Sequence, residues 1–458
     1  MKSLPKKLSL SGWGTEYRKL RRDGLREASY GGPLQRHLSE NPSLKRFVFD
    51  NSAASLRLWN LLLSEEDRLH EARKKGTLIV ACMKDLGTIP VMAFSMPRSL
   101  AFYPDGAWWL PCLMGRKTQV LEAADKLGID ESFCPVRAML GAFELQKNFP
   151  MPDIITCSSG AVCDDFSAIA QRLESRGHRI LWWEMPLRRK PEKGEKSLPL
   201  PGGLRAPSAQ LEFVKKELER IRRAFSELRG HPLSDAMISR GIRAANKVRK
   251  TLSELRQIVF SAKECPLPAL EMLIAEMLII HFCSDLGEAG AVLNELLGEA
   301  KKRVRSSQCV LRGGEAKIFW VNPVSDIKVM NLLEDCGGRL CGTENMFCHA
   351  LEIIPEDMPP IDALARSALA DPMTGSSAER AEKICRDAAG FGAEALIIAR
   401  IPGASHCATE GGVIRRKVET SLGIPAIELE VPPVSDGDEN SLRTRISALV
   451  ETVERKRQ

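Results

Sequence analysis

This sequence lacks the short motifs by which many enzymes are identified. It contains no GxxxxGK[ST] phosphate loop, no GxGxxG fingerprint, no HExxH helix and no GxSxG elbow. Its seven histidines include no i, i+4 pair that could share one face of a helix. The motifs therefore indicate no nucleotide-binding loop, zinc-protease site or serine-hydrolase site.

Long apolar runs and tyrosine are also scarce. No run reaches the roughly 18–20 residues of a membrane span, and the basic first residues have no signal-peptide core, so we expect a cytoplasmic protein that does not contact a membrane. The chain has three tyrosines and no repeated basic–aromatic pattern, which argues against nucleic acid as a partner despite a net charge of +7.

Cysteine, in contrast, is abundant, but no two cysteines form a CxxC pair. The 13 cysteines are odd in number and spread along the chain, which argues against a disulfide framework. Without CxxC pairs, a zinc ribbon has no support. The apolar contexts of Cys82 and Cys283 indicate buried thiols that act as small hydrophobic residues.

Strand-length apolar segments alternate with helical patterns in two parts of the chain, before and after a helical stretch. This alternation predicts an α/β fold with two doubly wound parallel-sheet domains of Rossmann or flavodoxin type. We predict four parts: an N-terminal helical region (1–75), a first α/β domain (76–200), a helical segment (201–308) and a second α/β domain (309–458).

Three local patterns complete the prediction of secondary structure. The stretch 187–207 is rich in proline, glycine and charge, which predicts a long surface connection. Three amphipathic helices are predicted after it, one of them with apolar residues at 211, 214, 218, 221 and 225. Residues 352–372 are predicted to be irregular because prolines interrupt them.

Three cysteine-containing segments carry the functional hypothesis. Cys163 and Cys407 each follow an apolar strand and precede a helix, and Cys134 opens the segment CPVRAMLGAF. Loops at the carboxyl ends of parallel strands are where doubly wound sheets bind ligands. Three thiolates gathered in one crevice would suit an iron–sulfur cluster with one iron left open. Each cysteine taken alone is more typical of a buried structural thiol than of a metal ligand.

Two alternative sites are weaker. Cys336, Cys341 and Cys348 form a C-x4-C-x6-C set, but this spacing matches no ferredoxin pattern. His406 beside Cys407 suggests a Cys/His nucleophilic pair, although side chains of adjacent residues usually point apart.

The order of several motifs resembles the 2-hydroxyacyl-CoA dehydratase D-component family, which also includes benzoyl-CoA reductase subunits and double-cubane cluster proteins. The resemblance runs from about residue 76 to the C-terminus. The segments that carry it are CPVRAMLGAF (134–143), PDIITCSSGAVCDDF (152–166), TEN (343–345), GIPAIELEVPP (423–433) and NSLRTRISALVE (440–451).

The resemblance implies that Cys134, Cys163 and Cys407 hold a [4Fe–4S] cluster. Cys157 is the rival to Cys163, which is preferred because Asp164 after it reproduces the family's Cys-Asp pair. The stretches 144–151 and 369–380 lack the further cysteines of the double-cubane members, so the resemblance implies a single cubane.

The resemblance also implies the reaction. In the family, one low-potential electron turns the thioester carbonyl of a 2-hydroxyacyl-CoA into a ketyl radical, which expels the α-hydroxyl and then loses a β-proton. The implied partners are a second related subunit or a second copy of this chain, an ATP-dependent iron–sulfur activator and an acyl-CoA substrate. The alternatives are a benzoyl-CoA reductase-type subunit and a non-catalytic electron-relay protein.

No catalytic residue is assigned from the sequence. Arg137 is a candidate for steadying the cluster charge or the CoA phosphates, with a surface arginine equally compatible. Glu344 and Arg445 match family positions without an assigned role.

Overall fold

The computed structural model describes residues 47–50, 52–85, 87–106, 117–405, 409–433 and 437–458, together with Arg18 and Arg22. Its main elements are two four-stranded sheets in which every strand pair is parallel. Helices surround both sheets. The predicted α/β fold with two Rossmann-like parallel sheets is confirmed.

The first sheet has the strand order β2-β1-β3-β4. Every residue of β1 except the half-buried Leu78 is buried, as expected for a parallel strand covered on both faces. Its strands are β1 (Leu78–Met83), β2 (Ser99–Phe102), β3 (Ile154–Gly160) and β4 (Ile180–Met185).

Six helices accompany this sheet within the described residues: α1 (Ala53–Leu63), α2 (Glu65–Lys74), α3 (Ile89–Ser95), α4 (Lys117–Lys126), α5 (Ala138–Leu145) and α6 (Asp164–Ser175). Helices α1 and α2 lie within the predicted N-terminal helical region (1–75). Helix α1 begins at a favourable cap, since the backbone N–H of Ser55 donates to Ser52 Oγ at 3.1 Å. Apart from Arg18 and Arg22, the predicted N-terminal region before residue 47 lies outside the described residues.

A short antiparallel pair and four helices follow. They are β5 (Ser197–Pro199), β6 (Arg205–Pro207), α7 (Ser208–Arg229), α8 (Asp235–Ser261), α9 (Ala269–His281) and α10 (Leu286–Arg305). The five apolar positions predicted for α7 are fully buried, which confirms its amphipathic pattern. Helix α9 is mostly apolar, with Glu271, Glu276 and His281 as its polar residues, and it is buried over its whole length.

The second sheet has the order β10-β9-β7-β8. Its elements are β7 (Ala316–Val321), α11 (Lys328–Asp335), β8 (Gly338–Glu344), α12 (Pro360–Ala370), α13 (Ser377–Gly390), β9 (Ala395–Arg400), α14 (Gly411–Leu422), β10 (Ala426–Glu430) and α15 (Glu439–Arg457). None of the helices in the described ranges is long and apolar enough to cross a bilayer.

Two expectations about local structure were wrong, and a third was incomplete. Helix α12 forms where irregular chain was predicted, because Pro360 is the first helical residue, where a missing N–H costs nothing. The stretch 187–207 is largely exposed, as a surface connection should be, but it contains the paired strands β5 and β6 and the buried Arg188. Helix α10 is a fourth helix beyond the three predicted, and its apolar stripe at 289, 292, 293 and 296 is fully buried.

Candidate metal centre

The carboxyl ends of both sheets point at one cavity of about 120 Å³, called here the cysteine cavity. Helix α9 contributes apolar side chains, among them Leu273 and Met277. Loops that follow six strands contribute further lining residues: Lys84 after β1, Tyr103 and Asp105 after β2, Val162 and Cys163 after β3, Val324 after β7, Phe347 after β8, and Ile401 and Ala404 after β9. This is the position at which α/β sheets bind ligands.

Cys134 lines this cavity from the turn before α5. It is 4 % exposed and precedes a 3-10 turn, Pro135–Arg137, whose last backbone N–H donates to Cys134 O at 3.0 Å. The Arg137 guanidinium donates to Phe133 O and to Asp125, each at 3.3 Å. Arg137 is therefore buried and stabilises the Cys134 turn, so the surface-arginine interpretation was wrong.

Cys163 lines the same cavity from the start of α6. It is 3 % exposed, and its Sγ lies 3.8 Å from Asp165 Oδ2. Burial raises the pKa of the Cys163 thiol to about 12, and Asp165 adds to the rise. The helix dipole, which favours a thiolate at this position, is outweighed by desolvation, so Cys163 is a neutral thiol when it binds no metal.

Cys157, the rival, is placed differently. It lies inside β3 and is fully buried, with its Sγ 3.5 Å from Ser158 O. It is not among the described residues that line the cysteine cavity. Of the two candidates, Cys163 is the one that the structure brings together with Cys134.

Cys407 lies outside the described residues, but the chain just before it is described. Gly403 has a φ of 75° and lies against the backbone of the Cys134 turn, since a Cβ at Gly403 would be 2.5 Å from Phe133 C. Two residues later, Ser405 donates to Asp165 Oδ2 from its backbone N at 3.1 Å and from its Oγ at 3.3 Å. The loop that leads to Cys407 therefore contacts both of the other cysteine segments.

Ionisable groups line the cavity beside the thiols. Lys84 Nζ donates to Gly160 O and Ser167 Oγ, both at 3.0 Å. Burial lowers the pKa of Lys84, while the thiols of Cys157 and Cys163 act in the opposite direction. The sequence offered no signal for Lys84, because a single lysine after a strand carries no characteristic spacing.

No sequence pattern indicated three further polar groups of this cavity. Tyr103, Asp105 and His281 line the cavity, and His281 Nδ1 is 3.6 Å from Glu65 Oε2. Burial favours the neutral form of His281, but Glu65 and Asp105 raise its pKa overall. This group places titratable side chains on one wall of a cavity whose other walls are mostly apolar.

The alternative cluster of three cysteines is not formed. Cys341 lies inside β8 in an apolar core, Cys336 Sγ is 3.8 Å from Arg443 O, and Cys348 Sγ is 3.5 Å from Arg256 Nη1. Within the described ranges, no three His, Cys, Asp or Glu side chains are placed to hold a metal ion. Cys407 is not part of those ranges.

Glu344, in the TEN segment, belongs to a buried charge network. It accepts from Arg380 Nη2 at 2.6 Å and lies 2.6 Å from His349 Nε2, while His349 Nδ1 is 3.1 Å from Asp371. Burial opposes ionisation of Glu344, but Arg380 and His349 hold its pKa well below the usual range. Burial likewise opposes protonation of His349, but Glu344 and Asp371 raise its pKa to about 8.

Comparison with known proteins gives one family. The model of the family described as 2-hydroxyglutaryl-CoA dehydratase, D-component, matches residues 93–453. That range includes both sheets except β1, all three candidate cysteines and the helical segment between the sheets. No curated protein matches the chain.

Proposed function

Because the chain belongs to the 2-hydroxyglutaryl-CoA dehydratase D-component family, we propose that it is the iron–sulfur cluster-bearing subunit of a radical dehydratase that removes water from a 2-hydroxyacyl-CoA. In this proposal Cys134, Cys163 and Cys407 hold one [4Fe–4S] cluster. The thioester lies in the cysteine cavity beside it.

The observation that carries the proposal is the contact among the three cysteine segments. Cys134 and Cys163 line one cavity although 28 residues separate them in the chain. The β9 loop reaches the same place, since Gly403 contacts the Cys134 turn and Ser405 bonds to Asp165 on α6. Cys407 follows Ser405 by two residues in the sequence, which supports it as the third ligand.

The residues present suit the proposed group. Soft thiol ligands select iron–sulfur clusters over hard cations, and three protein ligands leave one iron open. When bound, such a cluster supplies a single low-potential electron and a Lewis-acidic iron. Because burial raises the pKa of Cys163 to about 12, ligation at Cys163 releases its proton.

Residues of this chain exclude water from the cavity and position the cysteine segments. Apolar side chains of α9 and of the loops after β7 and β8 exclude water from most of the cavity, which strengthens electrostatic interactions inside it. Lys84 places a cationic group beside the thiols. Arg137 and Asp165 act indirectly, because they hold the turn of Cys134 and the loop before Cys407.

The proposal extends to partners. The chain carries no phosphate loop of its own, so the electron is proposed to come from a separate ATP-hydrolysing iron–sulfur activator. The assembly is proposed to pair this chain with a second related subunit or a second copy. The alternatives are a reductase that acts on an aromatic acyl-CoA and a non-catalytic electron relay. An activity assay distinguishes both from the dehydratase.

The experiment is an iron and sulfide count on the chain purified without oxygen, compared with single Cys→Ser variants. The whole chain is expected to hold about four irons and four sulfides. Replacing Cys134, Cys163 or Cys407 is expected to abolish or sharply reduce this content, whereas Cys157→Ser and Cys348→Ser serve as controls that retain it. Loss in the controls alone would contradict the ligand assignment.

The activity is tested on the same preparations with the activator, ATP and acyl-CoA thioesters. Dehydration of a 2-hydroxyacyl-CoA by the intact chain with its partner subunit supports the proposal. Reduction of an aromatic acyl-CoA instead would replace the dehydratase with the reductase. Electron transfer to a partner without any change in the cluster's EPR signal on adding acyl-CoA would assign the relay function.

A further inference from the structure

A second, smaller space lies behind the cysteine cavity, and its lining contains unsatisfied polar groups. We call it the chamber. Ser158 Oγ, Trp183 Nε1, Arg249 Nε and Ser367 Oγ all belong to residues that line it, and none of these buried atoms has a hydrogen-bond partner among the described residues. These atoms come from β3, β4, α8 and α12.

Such groups are expensive to leave unpaired. A buried donor or acceptor without a partner costs about 1–3 kcal/mol, and buried polar groups in folded proteins nearly always bind protein or ordered water. Four of them around one space are therefore evidence for an occupant that can both donate and accept. The free volume of about 40 Å³ is room for about three water molecules.

The chamber adjoins the cysteine cavity. Lys84 and Val162 line both spaces and form the partition between them. Both have left-handed backbones, with φ values of 67° and 93°. Val162 is the only β-branched residue among the described non-glycine residues with positive φ, and strain of this kind concentrates at functional sites.

On its other side the chamber adjoins a larger cavity of about 450 Å³. His349, Glu352, Ser367 and Asp371 line both spaces. The larger cavity is lined in part by exposed side chains such as Ser253 and Arg386, so it communicates with solvent. The three spaces thus form a series from the thiols to the surface.

We infer that the chamber holds a resident cluster of about three waters and is the route by which water leaves the cysteine cavity. The second part rests on the proposed function. In that reaction the α-hydroxyl departs and, with the β-proton, forms one water for each enoyl thioester produced. This water enters the chamber at Lys84 and Val162, and one water molecule leaves the chamber toward His349 and Asp371. Both steps occur while the thioester still occupies the cysteine cavity.

The first test is a crystal structure of the complete chain, prepared without oxygen, at a resolution that shows ordered water. Waters are expected within hydrogen-bond distance of Ser158 Oγ, Trp183 Nε1 and Ser367 Oγ. A dry chamber would overturn the whole inference. This measurement does not depend on any activity, so it decides the hydration even if the proposed reaction fails.

The second test is a matched pair of variants at one position. Ser367→Leu fills the chamber with an apolar side chain, whereas Ser367→Ala removes the hydroxyl and leaves the space open. Because Ser367→Leu obstructs the route, kcat is expected to fall roughly tenfold with KM and iron content unchanged, whereas Ser367→Ala is expected to lose much less. Ala350→Leu, which fills the space from another side, is expected to repeat the effect.

Each result has a consequence. Ordered waters with full turnover in both filled variants would leave the chamber hydrated but overturn the route. An equal loss of kcat in Ser367→Leu and Ser367→Ala would show that turnover depends on the Ser367 hydroxyl and not on an open passage, which would overturn the route. If the intact chain dehydrates no 2-hydroxyacyl-CoA, the proposed function and the route fall together while the crystal structure still decides the hydration. Thermal unfolding of each variant separates a blocked chamber from a misfolded chain.

Discussion

Gly403 offers the sharpest test of how the three cysteine segments are held together. Its φ of 75° is unfavourable for any residue with a Cβ, and a Cβ there would lie 2.5 Å from Phe133 C and 2.9 Å from Cys134 N. Gly403→Ala therefore combines a left-handed penalty of about 1 kcal/mol with overpacking of about 1–3 kcal/mol against backbone that cannot rotate away. We expect a loss of about 2–4 kcal/mol in the free energy of unfolding.

The matched control is Gly423→Ala. Gly423 also has a positive φ, 67°, but nothing lies within 4 Å of the position that a Cβ would take there, so only the backbone penalty of about 1 kcal/mol is expected. Urea unfolding of the two variants measures the difference, and iron content reports whether the β9 loop has left the Cys134 turn. Equal destabilisation by the two substitutions, or full stability of Gly403→Ala, would refute the contact between these segments.

Three further predictions follow from individual side chains. The pKa of His349 is about 8 in the folded chain, above its unfolded value of about 6.5. The charged form of His349 therefore stabilises the folded chain fully below pH 6.5, and this stabilisation is lost as the pH rises through 8. The pKa shift corresponds to about 2 kcal/mol in the free energy of unfolding. Urea midpoints of the original chain and His349→Gln should therefore converge between pH 6 and pH 9, and parallel profiles would contradict the charge network. Asp165→Ala removes the carboxylate oxygen that accepts both hydrogen bonds from Ser405 and should speed backbone hydrogen exchange in 401–405, whereas Asp164→Ala, at an exposed position, should not. Equal exchange in the two variants would show that Asp165 does not position this loop. Arg380→Met leaves the carboxylate of Glu344 buried without its guanidinium partner and should lower the free energy of unfolding by about 3–5 kcal/mol. The double variant Glu344→Gln/Arg380→Met should lose less than the sum of the two single losses, which a double-mutant cycle measures.

Much of the fold could be predicted because its signals are local. The strand LIVACM is apolar throughout since both faces of β1 are covered, and the five apolar residues of α7 recur at helical spacing. The failure at α12 has an equally local cause, because proline ends a helix in its interior but begins one well at its first position.

The candidate site could be predicted only in part. Cys163 stands beyond the end of β3 and Cys157 stands inside it, but the end of a strand is among the least certain features of a sequence pattern. The preference for Cys163 therefore rested on the Cys-Asp pair of the family resemblance. Lys84, Tyr103 and His281 reach the cavity from separate elements without any shared spacing. The bonds between Ser405 and Asp165 join residues 240 positions apart, and no local pattern encodes such a pairing.

Anomalous diffraction at the iron edge, from crystals of the complete chain grown without oxygen, tests the central claim most directly. We predict one compact iron peak in the cysteine cavity, bonded to the sulfurs of Cys134, Cys163 and Cys407, with Cys157 unbound in the core of the first sheet. Sulfurs of these three residues that lie apart, or an iron peak bound elsewhere, would contradict it.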